Sequence, residues 1–475
     1  MMSELEAILN TIPSCGTVSK GEGVALTSVL TALALLIAAN AGLCAAAAPA
    51  AGLERFYIGT YTEASSLGIY QSGLDLGSRT LTAAKLAATT TDPSFLALHP
   101  TGRFLYAVNE GGGAVVAFSA DRATGGLTRL NQQSSGGAAP CHLVVDDSGK
   151  NVLVANYTGG SVTVFPIVAD GRLGVATAHI QHPGSGPHAH CIALDAGNQF
   201  ALVCDLGLDR IFSYRFSSTQ GTLTTNSIPW TSVATGSGPR HLVFDPSFAR
   251  AYVICELNST IIAFHYDPEQ GVLSAFQTVT TLPMGWNGVN AAAEIAVHPS
   301  GRFLYESNRS YNSIAVFSMD AGTGELTLVQ QQLVGQTPRQ FAIDPTGAFC
   351  VVANQDSDSI LVYSIDPQNG KLTSTGQTVR VSKPVCLLPI LTQPPQPVLT
   401  LQPTPVNTLS IEFSNSVTSL AYQLDHASSL QGNAGWSVLA IGARGQTSFT
   451  VTNALPSEFF RASALTNSQT PKVNP

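Results

Sequence analysis

The chain has 475 residues, of which 44% are hydrophobic and 11% are charged, and its formal net charge is −8. This length can bury a large core, and the low charge content is typical of many short, buried strands. We expect no nucleic-acid partner, because phosphate contacts need clustered Lys and Arg and the sequence has no such cluster.

Residues 1–50 precede the first predicted strand and contain an Ala-rich apolar run from residue 24 to residue 50. The run ends in small residues, including Ala46 and Ala48, that fit the cleavage rule for a secretory signal peptide. The alternative is an uncleaved anchor helix, since about 18 apolar residues can span a bilayer. The leading segment is acidic for a signal, with three glutamates and one lysine. We expect a periplasmic or extracellular protein, or a cytoplasmic one if this segment is not a functional signal. Membrane contact is expected only through an uncleaved segment.

A repeat fills residues 51–389. One copy, Glu294 to Thr327, has the pattern of four short strands joined by turns, and the first turn begins at His298. The position that opens this turn recurs in six copies and is occupied by His or Asp, at His99, Asp146, Asp195, Asp245, His298 and Asp344. We call these six residues the anchors. The spacings are 47, 49, 50, 53 and 46 residues. Four strands per period without a helical pattern predict propeller blades that stack face to face.

Two fragments of the repeat flank the six complete copies. Phe56 to Thr82 match the last three strands of the unit, and Pro384 to Pro389 match only its first strand. If the late strand completes the early sheet, the fragments form one more blade and close the ring, which removes exposed sheet edges. The predicted fold is therefore all-β, a seven-bladed β-propeller followed by a small C-terminal β-sandwich.

The predicted sandwich occupies residues 408–475. Residues 390–407 carry five prolines and predict an extended linker. Five alternating runs then follow, LSIEFS, LAYQLD, WSVLAIG, TSFTVTN and EFFRASAL. We find no catalytic pattern there and expect a role in adhesion, sorting or spacing.

Six cysteines lie inside predicted strands: Cys141, Cys191, Cys204, Cys255, Cys350 and Cys386. None forms a CxxC pair or lies at zinc-finger spacing from a His. We interpret them as small buried hydrophobic residues. A disulfide between neighbouring strands stays open in an oxidising compartment.

Alignment of the repeats places polar residues from different blades at one end of the ring. The first strands of a propeller line its central channel, so residues at their starts surround one mouth. This shell includes His188, His190, Arg240, Glu294 and Arg339. A second shell, eleven residues after the anchors, includes Glu256 and Arg309. We expect His190, Arg240, Glu256 and Arg309, from three consecutive blades, to converge on one pocket.

Other polar residues of the repeat have structural interpretations. Asp245, His298 and Asp344 each precede a proline and most simply cap their turns. His142 and His241 recur near the starts of first strands, where we expect them to form hydrogen bonds that fix the strand entry.

Several motifs together resemble the seven-bladed propeller lactonase family, which includes bacterial 6-phosphogluconolactonases and has the fungal carboxy-cis,cis-muconate cyclase as a relative. They are GPHAHCIALD (186–195), GSGPRHLVFD (236–245), YVICELNSTI (252–261), AAEIAVHPSGRFLYESNRSYNSIAVF (292–317) and VVANQDSDSI (351–360). The resemblance covers Phe56 to Pro389. It implies an active site of His190, Arg240, Glu256 and Arg309. One departure is Val289, where the family commonly has an acidic or polar residue, and it affects the outer substrate contacts.

These residue types suit the opening of a lactone ring. A carboxylate or an imidazole can activate water, so we assign Glu256 as the general base, with His190 as partner acid or alternative base. Arg240 is expected to stabilise the oxyanion.

The remaining candidates are expected to bind substrate. Arg309 would hold an anionic group, with Arg339 assisting, and His188 and Glu294 complete the expected contacts. We expect no cofactor and no metal, because the arginines would repel a cation.

Three functions stay open from the sequence. The first is hydrolysis of a sugar lactone of the 6-phosphogluconolactone type. The second is a cycloisomerase acting on a carboxylated muconate, and the third is a non-catalytic propeller that binds a partner, since fold does not fix function. We expect a monomer with a small anionic lactone as substrate. Export would favour a lactone other than the phosphorylated pathway intermediate, which belongs in the cytoplasm.

Overall fold

The computed structural model describes residues 53–121 and 123–390, together with six strands between residues 398 and 465. Every regular element in these ranges is a β-strand, which confirms the all-β prediction. Within the same ranges no helix is long and apolar enough to cross a membrane. The predicted signal peptide or anchor, residues 1–50, lies outside the described residues.

Seven antiparallel sheets form the blades of the ring, numbered I to VII in chain order. Blade I contains β1 (Leu53–Thr60), β2 (Gly68–Asp75), β3 (Thr80–Leu81) and β4 (Lys85–Thr89). Blade II contains β5 (Leu96–Leu98), β6 (Phe104–Asn109), β7 (Ala114–Ala120) and β8 (Leu127–Ser134). Blade III contains β9 (Pro140–Val145), β10 (Asn151–Asn156), β11 (Ser161–Pro166) and β12 (Ala178–Gln181). Blade IV contains β13 (Ala189–Leu194), β14 (Phe200–Asp205), β15 (Arg210–Ser217) and β16 (Thr222–Ser232). Blade V contains β17 (Pro239–Phe244), β18 (Arg250–Cys255), β19 (Thr260–Asp267) and β20 (Val272–Thr280). Blade VI contains β21 (Ala292–Val297), β22 (Phe303–Asn308), β23 (Ser313–Met319) and β24 (Leu326–Leu333). Blade VII contains β25 (Pro338–Ile343), β26 (Phe349–Asn354), β27 (Ser359–Ile365) and β28 (Leu372–Arg380). The last strand of the ring is β29 (Pro384–Ile390).

The ring is closed by strand β29, which completes blade I. It pairs antiparallel with β1, with Phe56 opposite Pro389 and Ile58 opposite Leu387. Blade I therefore combines both ends of the propeller, as the two repeat fragments predict. No edge of β1 is left unpaired, which removes a template for aggregation.

The outer strand of blade I differs from the prediction, which ended it at Thr82. The structure divides it into β3 and β4, and both pair with β2. Thr82 causes the interruption, because its hydroxyl accepts the hydrogen bond of the Gly73 N–H at 2.8 Å, in place of a backbone carbonyl. The strand then resumes and continues to Thr89.

The core lies between neighbouring blades. Second strands such as β22 are buried along their whole length, because both faces pack against other blades. Buried tyrosines in these strands also tie the blades together. Tyr252 donates to the Gly324 carbonyl at 2.8 Å, and Tyr305 donates to the Gly370 carbonyl at 2.7 Å. A satisfied hydroxyl at each position allows a large side chain to be buried without an unpaired polar atom.

The anchor residues cap turns, as predicted. A carboxylate oxygen of Asp245 accepts the Arg250 N–H at 3.1 Å, and His298 Nδ1 lies 2.8 Å from the Ser300 hydroxyl. The six cysteines of the ring are buried and carry no disulfide. Cys191 and Cys204 lie opposite each other in β13 and β14.

Six further strands follow the ring. They are β30 (Val398–Pro403), β31 (Thr408–Ser414), β32 (Ala421–Ala427), β33 (Ser437–Ile441), β34 (Ser448–Thr452) and β35 (Phe459–Leu465). They form two three-stranded sheets, β30–β31–β34 and β33–β32–β35. The last five strands coincide with the five predicted runs, and the sandwich itself stays a prediction. Strand β30 lies inside the predicted linker, because the alternating Val-Leu-Thr-Leu sequence precedes Pro403 and pairs with β31.

We predict that the ring needs β29. Truncation after residue 380 removes that strand and exposes the edge of β1, whereas truncation after residue 400 keeps it. The shorter protein is expected to aggregate or to unfold at a clearly lower temperature. Thermal unfolding and gel filtration of both proteins measure this, and equal melting temperatures would show that closure does not stabilise the ring.

Candidate active site

Bulges in the innermost strands set the geometry of the site. In β13, the consecutive pairs are Ala189 with Asp205 and Cys191 with Cys204, so His190 is an extra residue outside the ladder. Arg240 in β17 and Arg339 in β25 are extra residues in the same way. A bulge breaks the alternation of a strand and redirects a side chain. Three predicted site residues therefore occupy the positions that the regular ladder leaves out.

A small cavity, about large enough for one water molecule, lies between residues in or beside the innermost strands of every blade except blade IV. Its lining comes from six blades and includes Ser94, Phe95, Cys141, Arg240, His241, Glu294, Arg339, Gln340 and Val385.

The centre of the site is the carboxylate of Glu256, which lies between two arginines. Arg240 Nε is 3.0 Å from one carboxylate oxygen, and Arg309 Nη2 is 2.8 Å from the other. Two backbone carbonyls hold the guanidinium groups from behind. Arg240 Nη1 donates to the Ala293 carbonyl at 2.6 Å, and Arg309 Nε donates to the Ala291 carbonyl at 3.3 Å. The structure thus brings together three of the four residues expected to converge.

These contacts keep the carboxyl group of Glu256 ionised. Burial opposes its ionisation, but the charges of Arg240, Arg309 and Arg339 outweigh burial and hold the pKa below its usual value. The side chain of Arg240 is 3% exposed. Its burial, together with the charges of Arg309 and Arg339, lowers the pKa of Arg240 to about 10, with Glu256 opposing the shift. Both members of the pair are therefore charged at neutral pH.

Both arginines retain hydrogen-bonding capacity. Arg240 Nε and Arg309 Nη2 are buried and have no hydrogen-bond partner among the described residues, although each lies within 3.0 Å of Glu256. The short distances show charge pairing, and the N–H bonds are poorly aligned with the carboxylate oxygens. Buried donors without a partner are costly, so a bound ligand oxygen would satisfy them.

His190 is a buried, neutral imidazole that lies within the electrostatic influence of Arg240. Burial lowers its pKa well below 6.5, and the positive charge of Arg240 lowers it further. Its Nδ1 has no hydrogen-bond partner in the described part of the chain. The ring is 5.1 Å from that of His241 and meets the Tyr157 ring edge-on at 5.5 Å. An imidazole in this state can accept a proton at one nitrogen.

The three predicted substrate contacts have different surroundings. His188 stacks on Tyr157 at 4.5 Å and so flanks the site through that ring. Arg339 lies 5.3 Å from the centre of the Tyr61 ring. The carboxylate of Glu294 lies 3.0 Å from His241 Nδ1 and also accepts the Ile295 N–H.

His241 therefore does more than fix a strand entry. It holds Glu294 in the channel, and its ring lies 5.2 Å from that of His142. The assignments of His188, Glu294 and Arg339 as substrate contacts stay predictions.

Sequence reasoning missed a second polar group at the channel mouth. Tyr61 donates to a carboxylate oxygen of Glu110 at 3.0 Å, and the Ser94 hydroxyl also donates to that oxygen. Glu110 and Tyr157 occupy the repeat position of Glu256, so the alignment contained the signal for both. Tyr61 lies in blade I, which the sequence contains only as two separate fragments of the repeat. The alignment therefore gave no equivalent position from which to predict it.

An apolar rim borders the site on the loop between β20 and β21. The ring of Trp286 packs edge-on against Tyr311 at 4.7 Å, two residues after Arg309. Met284 and Val289 on the same loop are almost completely exposed. The unusual Val289 therefore lies at the surface beside the pocket, outside the charged centre.

The matches to known proteins agree with this geometry. A family model described as lactonase, 7-bladed beta-propeller, matches residues 55–389. The chain belongs to the seven-bladed β-propeller lactonase family. The match covers the ring from β1 to β29, and it contains every candidate site residue.

Two 6-phosphogluconolactonases and one gluconolactonase illustrate the similarity. The 6-phosphogluconolactonase of Bacillus subtilis (strain 168) is 37% identical over 295 residues, which are 60% of this chain and 83% of that protein. The 6-phosphogluconolactonase of Pectobacterium carotovorum is 33% identical over 279 residues, 59% of this chain and 81% of that one. Among solved structures, the periplasmic gluconolactonase of Pseudomonas aeruginosa is 32% identical with a TM-score of 0.69, and the match covers 72% of this chain and all of that one.

Proposed function

We propose that this lactonase-family protein hydrolyses a sugar lactone without a metal ion. The observation that carries the proposal is the Glu256 carboxylate, held between two arginines whose nearest N–H groups are poorly aligned with it. His190 adds a buried, neutral imidazole that feels the charge of Arg240. The names of the relatives support a lactone substrate and do not favour the muconate cycloisomerase or the non-catalytic scaffold.

Glu256 acts as the general base in this proposal. It takes a proton from water while the water oxygen attacks the lactone carbonyl carbon. Its lowered pKa makes it a weak base, but the base form is present at neutral pH and the protonated form is a strong acid. The proton can therefore pass on to the ring oxygen as the carbon–oxygen bond breaks. His190 is the alternative base.

The arginines stabilise charge that develops during the reaction. The carbonyl oxygen becomes negative in the tetrahedral intermediate, and the unpartnered Nε–H of Arg240 is a donor for it. Arg309, which is more exposed, is assigned to an anionic or hydroxyl group of the substrate. Three positive side chains near the axis disfavour a bound cation, which supports metal independence.

Export is part of the proposal. A periplasmic gluconolactonase is among the similar structures, and the apolar run at residues 24–50 fits a signal peptide. An exported enzyme would meet an unphosphorylated lactone.

Glu256→Gln is predicted to lower kcat about a hundredfold or more, the scale of lost general-base catalysis. The same change removes the counter-charge of buried Arg240, so the free energy of unfolding is expected to fall by about 3 kcal/mol. Rates are therefore measured at a temperature where circular dichroism shows the variant to be folded.

Glu325→Gln, on an exposed turn, is the matched control and should retain parent activity. A folded Glu256→Gln protein with the parent rate would rule out Glu256 as the base. An activity loss no larger than the unfolded fraction would identify the ion pair as structural only.

Arg309→Ala is predicted to raise KM for a phosphorylated or carboxylated lactone about ten- to hundredfold, the cost of a lost charged hydrogen bond. The KM for neutral gluconolactone should change less. A panel of lactones with and without phosphate, assayed with the parent and this variant in the presence and absence of EDTA, measures both effects. Failure of the parent to hydrolyse any lactone would overturn the proposed function, and loss of activity in EDTA would overturn metal independence.

Cleavage of the signal is predicted to leave an N-terminus between roughly Ala46 and Gly52, by the small-residue rule. N-terminal sequencing of protein recovered from its native cells measures this. Full-length protein found in solution in the cytoplasm would contradict export.

A further inference from the structure

Glu306 is an exception to the repeat, in the middle of a strand. The second strands of blades II to VII each have six residues, and Glu306 is the fourth residue of β22. The other five strands have small or aliphatic residues at this position: Ala107, Val154, Val203, Val253 and Val352. All six side chains are 0% exposed. The fold therefore accepts an apolar residue here, and the carboxyl group needs another explanation.

The carboxyl group of Glu306 is buried without a charged partner. Its Oε2 accepts a hydrogen bond from Asn308 Nδ2 at 2.8 Å, and Oε1 has no partner among the described residues. Burial raises its pKa well above the usual value, and only hydrogen bonds oppose the shift. A charge enclosed in this way would be very costly, so the group is a neutral carboxylic acid.

A chain of hydrogen bonds links this acid to the turn that carries Arg309. The Oδ1 of Asn308 accepts from Asn290 Nδ2 at 2.6 Å. The Oδ1 of Asn290 then accepts the backbone N–H groups of Ser310 and Tyr311, both at 3.1 Å. These are the two residues that follow Arg309. Three buried side chains thus connect the core of blade VI to the backbone beside a proposed substrate contact.

The acid and Thr281 together fix the direction of the chain. Asn308 Nδ2 donates to Glu306 at 2.8 Å and to the Thr281 carbonyl at 3.2 Å, and the Thr281 hydroxyl donates to Asn308 Oδ1 at 2.9 Å. Because Glu306 accepts from the Asn308 amide nitrogen, the amide oxygen points to Asn290, and Asn290 in turn presents its own oxygen to the turn. Asparagines occupy the equivalent position in blades II, III and VII, at Asn109, Asn156 and Asn354. The side-chain oxygen of Asn109 accepts the Gly112 N–H of its own turn at 2.9 Å, and those of Asn156 and Asn354 have no partner in the described residues. Among these four blades, the link through a second buried asparagine to the turn occurs in the blade that contains the acid.

We propose that Glu306 is a positioning residue, which holds the turn of Arg309 through Asn308 and Asn290. Arg309 would then be held at the Glu256 carboxylate by two restraints, its own contact with the Ala291 carbonyl and the network behind the turn. This inference rests on the proposed function in one respect, which is that Arg309 contacts the substrate.

Two variants separate positioning from stability. Glu306→Val gives β22 the residue found in blades III, IV, V and VII and removes the nearest acceptor for Asn308 Nδ2, which leaves the Thr281 carbonyl at 3.2 Å. It should raise KM for the lactone about tenfold with a smaller change in kcat, while Tm stays equal or rises, because a buried acid is replaced by a well-packed apolar group. Glu306→Gln keeps an acceptor oxygen and should retain the parent KM.

The matched control is Val352→Ala, at the same position of blade VII. It should lower Tm and leave KM unchanged. A parent KM in Glu306→Val, or equal impairment in Glu306→Gln and Glu306→Val, would overturn the proposal.

Amide hydrogen exchange of Ser310 and Tyr311 tests the same network without a substrate. Exchange should be at least tenfold faster in Glu306→Val than in the parent, and near the parent rate in Glu306→Gln. If the parent hydrolyses no lactone but this pattern is found, the proposed function fails and the positioning role stands. Equal exchange in all three proteins would overturn the positioning role whatever the enzyme assay shows.

Discussion

One extra residue in an innermost strand decides which side chains reach the active centre. A strand in a regular ladder alternates its side chains between two faces, and both faces of a blade are needed for packing against its neighbours. The bulges at His190, Arg240 and Arg339 insert a position that belongs to neither face. Polar residues can then be placed on the axis without removing any apolar residue from the contacts between blades. His190, Arg240 and Arg339 depend on this separation, whereas Glu256 and Arg309 enter the site directly after the second strands β18 and β22.

The charges at the centre oppose the stability of the ring. Arg240 is almost fully buried, and it lies near two further arginines that lower its pKa. Glu256 compensates by contacting two of them, yet two N–H groups stay without hydrogen bonds in the described residues. Strain of this kind is typical of binding sites, where the ligand supplies the missing partner. The surrounding blades, which are apolar and continuous, provide the stability that the centre lacks.

The architecture could be predicted from the sequence because its repeating unit also repeats in the sequence. The anchor spacings predicted the number of blades, the closure by Pro384 to Pro389 and the shared level of Glu256 and Arg309. The bulges could not be predicted, because a period near fifty residues does not specify which residue a ladder omits. Blade I was the least predictable, since a single hydroxyl on Thr82 interrupts its outer strand. The same alignment also shows Glu306 as the one charged residue at an otherwise apolar position of the second strands. This exception is found only when the apolar positions are compared between blades.

The composite blade has a consequence for synthesis. Arg55 pairs with Ile390, so roughly 330 residues must be translated before β1 meets its last partner. At about 5–20 residues per second, the nascent chain carries one unpaired edge of β1 for about twenty seconds to a minute. Pairing over such a sequence separation is also slow, because loop-closure entropy must be overcome before the contacts form. The newly made ring therefore stays open long enough for a chaperone to contact the exposed edge of β1 before β29 covers it.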